Sequence, residues 1–229
     1  MINNITKPLI FLGSNSNIYK LYELCETIGY QITGIIDDDY HGQGHYKNIP
    51  VVGKEEELEK FQDHQFICAT NWIPGNDSIT IRNREKRNRQ IDLLDQKAVD
   101  LATVISPLAQ VSKYAKIGQG VIIDAFCLVE PNADIDNHVV MHTHSGVGHD
   151  SKIGRNTILQ RYVQITGNVQ VEENVYLGIS SKVLRSEVTV SKNTFIHPCL
   201  LLLRGTTENE EVSLAGKDLR KVYQQVEIK

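Results

Sequence analysis

From Ala109 onward an aliphatic side chain returns every sixth residue: Val111, Ile117, Ile123, Val129, Ile135, Met141, Val147, Ile153, Leu159, Ile165, Val171, Leu177 and Val183. In a chain that is 41% hydrophobic, chance produces such a run roughly once in 10⁵ frames. The place two residues earlier is small or β-branched, as in Ala115, Ala133, Ser145, Thr157 and Val163. One extra residue intrudes after Val183, and the register resumes at Val190, Ile196 and Leu202. A repeat of this kind predicts short flat strands joined by turns, three to a coil. The aliphatic residue points inward and stacks on its equivalent one coil away, which makes a parallel β-helix solenoid. Gly118, Gly120, Asn132, Gly154, Asn156 and Gly167 are the expected turn residues, supplying the positive φ that tight corners need.

The first half carries a different pattern. KPLIFLG is an apolar run ending in Gly13, followed by SNSN and a stretch in which Leu21, Leu24 and Ile28 recur at helical spacing until Gly29. QITGII is a second strand that ends in Asp37-Asp38-Asp39. PVVG and FICAT are further strands, separated by an acidic helix, KEEELEKF. A last helix runs from about Ile79 to Lys97. This alternation predicts a small parallel α/β unit with ligands at the C-terminal ends of its strands. The basic residues Arg82, Arg84, Lys86, Arg87 and Arg89 read mainly as a solvated helix face. The polar tail from Thr206 reads as a short helix and a frayed end. Two domains are therefore expected, residues 1–103 and 104–229.

Composition narrows the function. With 24 Lys and Arg against 28 Asp and Glu, the net charge of −4 lacks the electrostatic footprint of a general nucleic-acid binder. No apolar run approaches the ~18 residues a membrane span needs. The start of the chain lacks the layout of a signal peptide, and the four scattered cysteines contain no CxxC, so reduced thiols in a cytoplasmic protein are expected.

Three of the eight histidines fall within MHTHSGVGHD. A solenoid needs no imidazole at its corners, so this cluster is the candidate chemistry. Transfer of an acyl group from a thioester to an amine or hydroxyl needs a base, and imidazole titrates in the right range. A carboxylate on its second nitrogen would fix the tautomer, and His149 followed by Asp150 supplies both groups.

The chain resembles the sialic acid O-acetyltransferase family of hexapeptide-repeat sugar acyltransferases, which includes the acetyltransferases acting on UDP-4-amino-sugars and GDP-perosamine. The carriers are LIFLGSNSN, GIIDDD, NIPVVG before an acidic helix, ATVISPLAQVSKYAKIGQGVII and, most specifically, SGVGHDSKIGRN. The resemblance implies an N-terminal Rossmann-like α/β domain followed by a left-handed parallel β-helix of hexapeptide repeats. It implies acetyl-CoA as co-substrate without a metal, and a homotrimer with active sites between subunits. It also implies an acetyl group passing to the amine of a nucleotide-linked amino sugar. On it, His149 is the general base and Asp150 its orienter. Gly13, Ser14, Asp37, Asp38, Asn71 and His142 contact the nucleotide sugar, and Thr166, Gly167 and Gly178 contact acetyl-CoA. The chain departs from the family at Ser16-Asn17, at Leu159-Gln160-Arg161-Tyr162 and at Phe195-Ile196-His197-Pro198.

Other readings are weighed beside it. A three-histidine zinc site of the γ-carbonic anhydrase type fails, because no histidine lies between His64 and His138. O-acetylation of sialic acid or a related sugar stays open, as does a non-catalytic trimeric sugar-binding protein of the same fold.

Overall fold

The computed structural model describes residue 5, residues 7–71 and residues 78–213. The first half forms one mixed sheet. β1 (Leu9–Leu12) leads into α1 (Ile18–Ile28) and β2 (Ile32–Ile36), then β3 (His45–Tyr46), β4 (Ile49–Gly53) and β5 (Gln65–Cys68). The strand order is β3-β4-β2-β1-β5, with all neighbours parallel except the β3–β4 hairpin. The sheet is therefore parallel with one antiparallel edge, where an all-parallel unit was expected. α1 ends as read, with Gly29 at φ 100° capping the Cys25 and Glu26 carbonyls. The acidic helix read from KEEELEKF is present as a 3-10 helix, Glu55–Phe61. α2 spans Ser78–Gln96.

From Val104 the chain winds into three stacked parallel sheets. The first face has seven strands, Val104–Ile105 to Glu211–Val212; the second has six, Gln110–Val111 to Leu201–Leu202; the third has five, Lys116–Ile117 to Thr189–Val190. Pairing follows the eighteen-residue register, as in Leu128 with Gly146 and Val129 with Val147. The inward residues Val129, Met141, Ile153, Leu177 and Ile196 share one dry core. The tail differs from expectation: Glu211–Val212 extends the first face as a strand, and the rest lies outside the described residues.

The corners also differ from expectation. Positive φ recurs at Phe126, Asn132, His138, His144, Asp150, Asn156, Tyr162, Asn168, Asn174 and Ser180, all near 60°. Gly120, Asn132 and Asn156 sit at such corners, but Gly118, Gly154 and Gly167 are not in the left-handed region. Those three are needed for close approach. A Cβ on Gly118 would lie 2.6 Å from Asn137 Oδ1, and one on Gly154 would lie 2.6 Å from the Glu172 carbonyl carbon. Imidazoles do occupy corners here. His144 is stacked between Phe126 and Tyr162, with ring planes 18° and 2° from parallel.

A second, slower period docks the two halves. Outward positions on the second and third faces are mostly polar, as at Gln110, Lys116, Asp134, Lys152 and Gln170. On the first face they are Val104, Ile122, Val140, Ile158 and Tyr176, a stripe repeating every eighteen residues. This stripe joins Ile18, Leu21 and Cys25 of α1 and Ile35 of β2 in a single buried cluster. Each large side chain so covered contributes about 1.5–3 kcal/mol.

α2 supplies the polar half of the joint, and it corrects the reading of its basic run. Lys86 and Arg87 are buried, at 7% and 1% exposure, rather than solvated. The guanidinium of Arg87 donates to Asn156 Oδ1 at 2.8 Å, to the Thr70 carbonyl at 2.7 Å and to the His138 carbonyl at 2.9 Å. It thereby ties α2 and the β5 loop to two coils. One turn and two turns on, Asp92 and Asp95 hold Arg155 at 2.8 and 2.7 Å, and Asp95 also meets His138. The Arg82 side chain lies outside the described residues.

Cys25, Cys68 and Cys127 are buried thiols and Cys199 is exposed. Among the described residues no helix is long and apolar enough to cross a membrane. Arg87→Lys keeps the charge but loses the fork that reaches three acceptors at once. It should lower stability by about 3 kcal/mol, seen as a fall in urea midpoint with unchanged slope.

Candidate functional site

The parallel strands β1, β2 and β5 end in loops that enclose two clefts. Gly13 turns the chain at φ 78°, a conformation favouring glycine; a Cβ there would collide with Thr70 Oγ1. Ser14 Oγ then donates to Asp37 Oδ2 at 2.6 Å. Asp37 is fully buried, and its other oxygen takes Lys86 Nζ at 2.6 Å; the same ammonium holds Asp39 at 2.8 Å. Burial opposes the charge on Lys86, but the Asp37 and Asp39 hydrogen bonds outweigh it and raise its pKa. Beside these residues lies a cleft of about 460 Å³ whose walls include Ser14, Asn15, Asp39, Tyr40, Tyr46 and Lys86. Asp38 does not share in it: its carboxylate caps the 3-10 helix by accepting the Glu55 amide at 2.8 Å.

A small second cleft of about 50 Å³ lies where this loop cluster meets the coils, walled by Asn15, Lys20, Asn71, Asp124 and His142 among others. The structure brings two of the expected residues together here, with Asn71 Nδ2 and His142 Nε2 3.0 Å apart. Behind the ring, His142 Nδ1 meets Asp124 Oδ2 at 2.9 Å, and Lys20 reaches the same oxygen.

His149 and Asp150 lie on the corner between the second and third faces, with Asp150 at φ 59°. His149 Nδ1 and Asp150 Oδ2 are 2.8 Å apart, and the carboxylate also accepts Asn132 Nδ2 at 3.1 Å. These bonds, that of His149 first, hold the Asp150 carboxyl below its ordinary range. An ionised Asp150 can only accept, so the shared proton belongs to Nδ1 and the lone pair to Nε2. Glu130 Oε2 anchors the His149 amide at 2.9 Å.

On the other side, the groove holding Nε2 is about 170 Å³ and is walled by Gly146, Gly148, Gln164, Thr166 and Gly167 among others. The glycines make the room. A Cβ on Gly167 would lie 2.5 Å from His149 Nε2, and one on Gly148 would lie 2.5 Å from the Gly167 amide nitrogen. Gly178 is elsewhere, packed where a Cβ would meet Pro198 N at 2.5 Å, and it does not wall this groove.

The expected residues thus fall into three places on one chain. Ser14 lines the first cleft with Asp37 fully buried behind it, Asn71 and His142 line the second, and His149, Thr166 and Gly167 line the groove on the coils, with Asp150 behind the imidazole. Lys20, Lys86, Asp124, Glu130 and Asn132 were missed. Asp124 and Asn132 each stand eighteen residues before the side chain they serve, so the coil period carried the signal. Among the described residues no cluster of three His, Cys, Asp or Glu side chains is placed to hold a metal ion.

No family model matches the chain. Solved structures share its architecture along most of their length. The acetyltransferase domain of PglB from Neisseria gonorrhoeae is 20% identical with a TM-score of 0.74, covering 88% of this chain and 94% of its own. PerB from Caulobacter crescentus, solved with CoA and GDP-perosamine, is 20% identical with a TM-score of 0.69, over 90% and 93%. WeeI from Acinetobacter baumannii is 17% identical with a TM-score of 0.71, over 88% and 93%. At such identities the likeness establishes a common fold.

The pairing at the corner makes a reciprocal prediction. Asp150 is depressed in the folded protein, so the His149 contact persists as pH falls into the usual carboxylate range and is lost only below it. In His149→Ala the Asp150 carboxyl should titrate closer to its ordinary value, read by carbon NMR of labelled aspartate; an unchanged titration would show that the contact is not made in solution.

Proposed function

We propose that this chain is an acetyl-CoA-dependent acetyltransferase that acts on the amine of a nucleotide-linked amino sugar. The observation that carries the proposal is the His149 groove. An imidazole with its proton fixed on Nδ1 by a carboxylate presents a basic Nε2 to a trough kept open by Gly148 and Gly167. Thr166 and Gly167 line that trough for the thioester end of acetyl-CoA. His149 takes the proton from the amine as its nitrogen bonds to the thioester carbonyl carbon. It returns the proton to the departing sulfur, so that the C–S bond breaks to an N-acetyl sugar and a free thiol. Asp150 stabilises the imidazolium between those two transfers. Proton transfer by a positioned base of this type is worth about 10²–10⁴ in rate.

The first half supplies the acceptor. The Ser14–Asp37–Lys86 cleft lies at the C-terminal edge of a parallel sheet, where such sheets bind nucleotides. Residues 1–103 are then the nucleotide-sugar domain, and residues 104–229 a left-handed β-helix. Among the described residues, none before 104 walls the His149 groove within one chain. A homotrimer, in which one subunit's N-terminal clefts face the next subunit's His149, completes the site. The fold shared with PerB, which binds CoA and GDP-perosamine, supports the reading.

His149→Ala should cut release of free coenzyme A by about 10²–10⁴ while sedimenting as the wild type. Near-wild-type turnover would refute the assignment. Gly167→Ala leaves an unstrained backbone but drives a methyl against Nε2, so it should cost on the order of 10² in turnover at near-wild-type stability.

A further inference from the structure

Besides His149 and Asp150, the chain holds another imidazole–carboxylate pair whose polarity can be followed bond by bond. Asn71 Nδ2 can only donate, so its 3.0 Å contact places a lone pair on His142 Nε2. The ring proton then sits on Nδ1, facing Asp124 Oδ2 at 2.9 Å. Asp124 is 4% exposed. Burial pushes its carboxyl up, but the hydrogen bond from His142 and the Lys20 ammonium outweigh burial and hold it below its ordinary range. Lys20 Nζ donates to that oxygen and, at 3.1 Å, to Thr143 Oγ1. The donors therefore run one way, from Asn71 through the ring to the carboxylate, with an ammonium behind it.

This relay spans both halves of the molecule. Lys20 comes from α1, Asn71 follows β5, and Asp124 and His142 come from successive coils. Arg87, also in the cleft wall, is already committed to the Thr70 and His138 carbonyls. In this structure Asn71 occupies His142 Nε2.

We infer that Asp124 is a positioning residue for ligand recognition. It holds His142 in the Nδ1–H tautomer, and the ring orients Asn71, so that this cleft offers an acceptor nitrogen to a hydroxyl or amino group of the ligand. A ligand donor entering the cleft takes the place of the Asn71 amide on Nε2. The tautomer rests on the Asn71 amide donating to Nε2 and on an ionised Asp124 accepting from Nδ1; only the identity of the ligand as a nucleotide-linked sugar rests on the proposed function.

Nitrogen-15 NMR of the full chain with labelled histidine tests this at neutral pH. Wild-type His142 should appear as Nδ1–H with an unprotonated Nε2. Asp124→Asn, which can present an amide donor to Nδ1, should move the ring toward Nε2–H. The same variant should raise KM for the nucleotide-linked amino sugar about tenfold while leaving KM for acetyl-CoA unchanged. His142→Asn should show the same KM split, and it carries the kinetic test if Asp124→Asn does not fold. A wild-type ring carrying its proton on Nε2 would overturn the inference, as would a variant that keeps the wild-type tautomer. Equal rises in both KM values would reduce Asp124 to a structural prop. If the wild type turns over no nucleotide amino sugar, the proposed function fails, while the tautomer still decides the role of Asp124.

Discussion

Each coil of the prism lends its hydrogen bonds to the next, so up to Val183 a strand residue has its counterpart eighteen residues on, and the rest of the structure is written in that interval. Inward, the interval stacks Val129 on Val147 and Ile165, giving one continuous buried core. At the corners it stacks residues held near φ 60°, a conformation that costs non-glycine residues energy and persists because the coils above and below over-determine it. Outward, on one face only, it lays down the apolar stripe from Val104 to Tyr176 that α1 covers. The fold's chemistry uses the same columns: Asn132 serves Asp150, and Asp124 serves His142, each from one coil before.

Docking the first half onto that stripe has a functional consequence. The joint is apolar under α1 and polar under α2, where Arg87 binds three neutral acceptors from two units. It fixes the loops after β1, β2 and β5 against the coils, so that Asn71 meets His142 within hydrogen-bonding distance. A binding cleft assembled from two units in this way keeps its geometry only as far as the joint is rigid. Buried, hydrogen-bonded charges such as Arg87 and the Lys86–Asp37 pair specify that geometry, since any slip would leave them unpaired.

The inward period was legible because thirteen aliphatic residues repeat without a break. α1 with its Gly29 stop was equally plain, since periodicity and cap agree. The corners were not, because stacking overrides the preference for Gly and Asn and allows Phe126, His144 and Tyr162 there, while Gly118, Gly154 and Gly167 serve close approach instead. Nor were Lys86 and Arg87, whose neighbours in a run of charged residues look like a solvated face. Their burial depends on elements far away in sequence, which local pattern does not encode. At the site, His149 beside Asp150 was readable as adjacency and the groove's glycines as small residues. The pairing of His142 with Asp124 escaped because it needs the coil period to be applied to polar positions too.

Mass spectrometry of the acceptor tests the account most directly. The full chain is incubated with acetyl-CoA and a panel of UDP-, dTDP- and GDP-linked amino sugars, beside free sialic acid. The account predicts one acetyl group gained on the amine of a nucleotide-linked sugar, with an equal amount of free coenzyme A. Acetylation of a sialic acid hydroxyl instead, or intact acetyl-CoA with every acceptor from a folded protein, would contradict it.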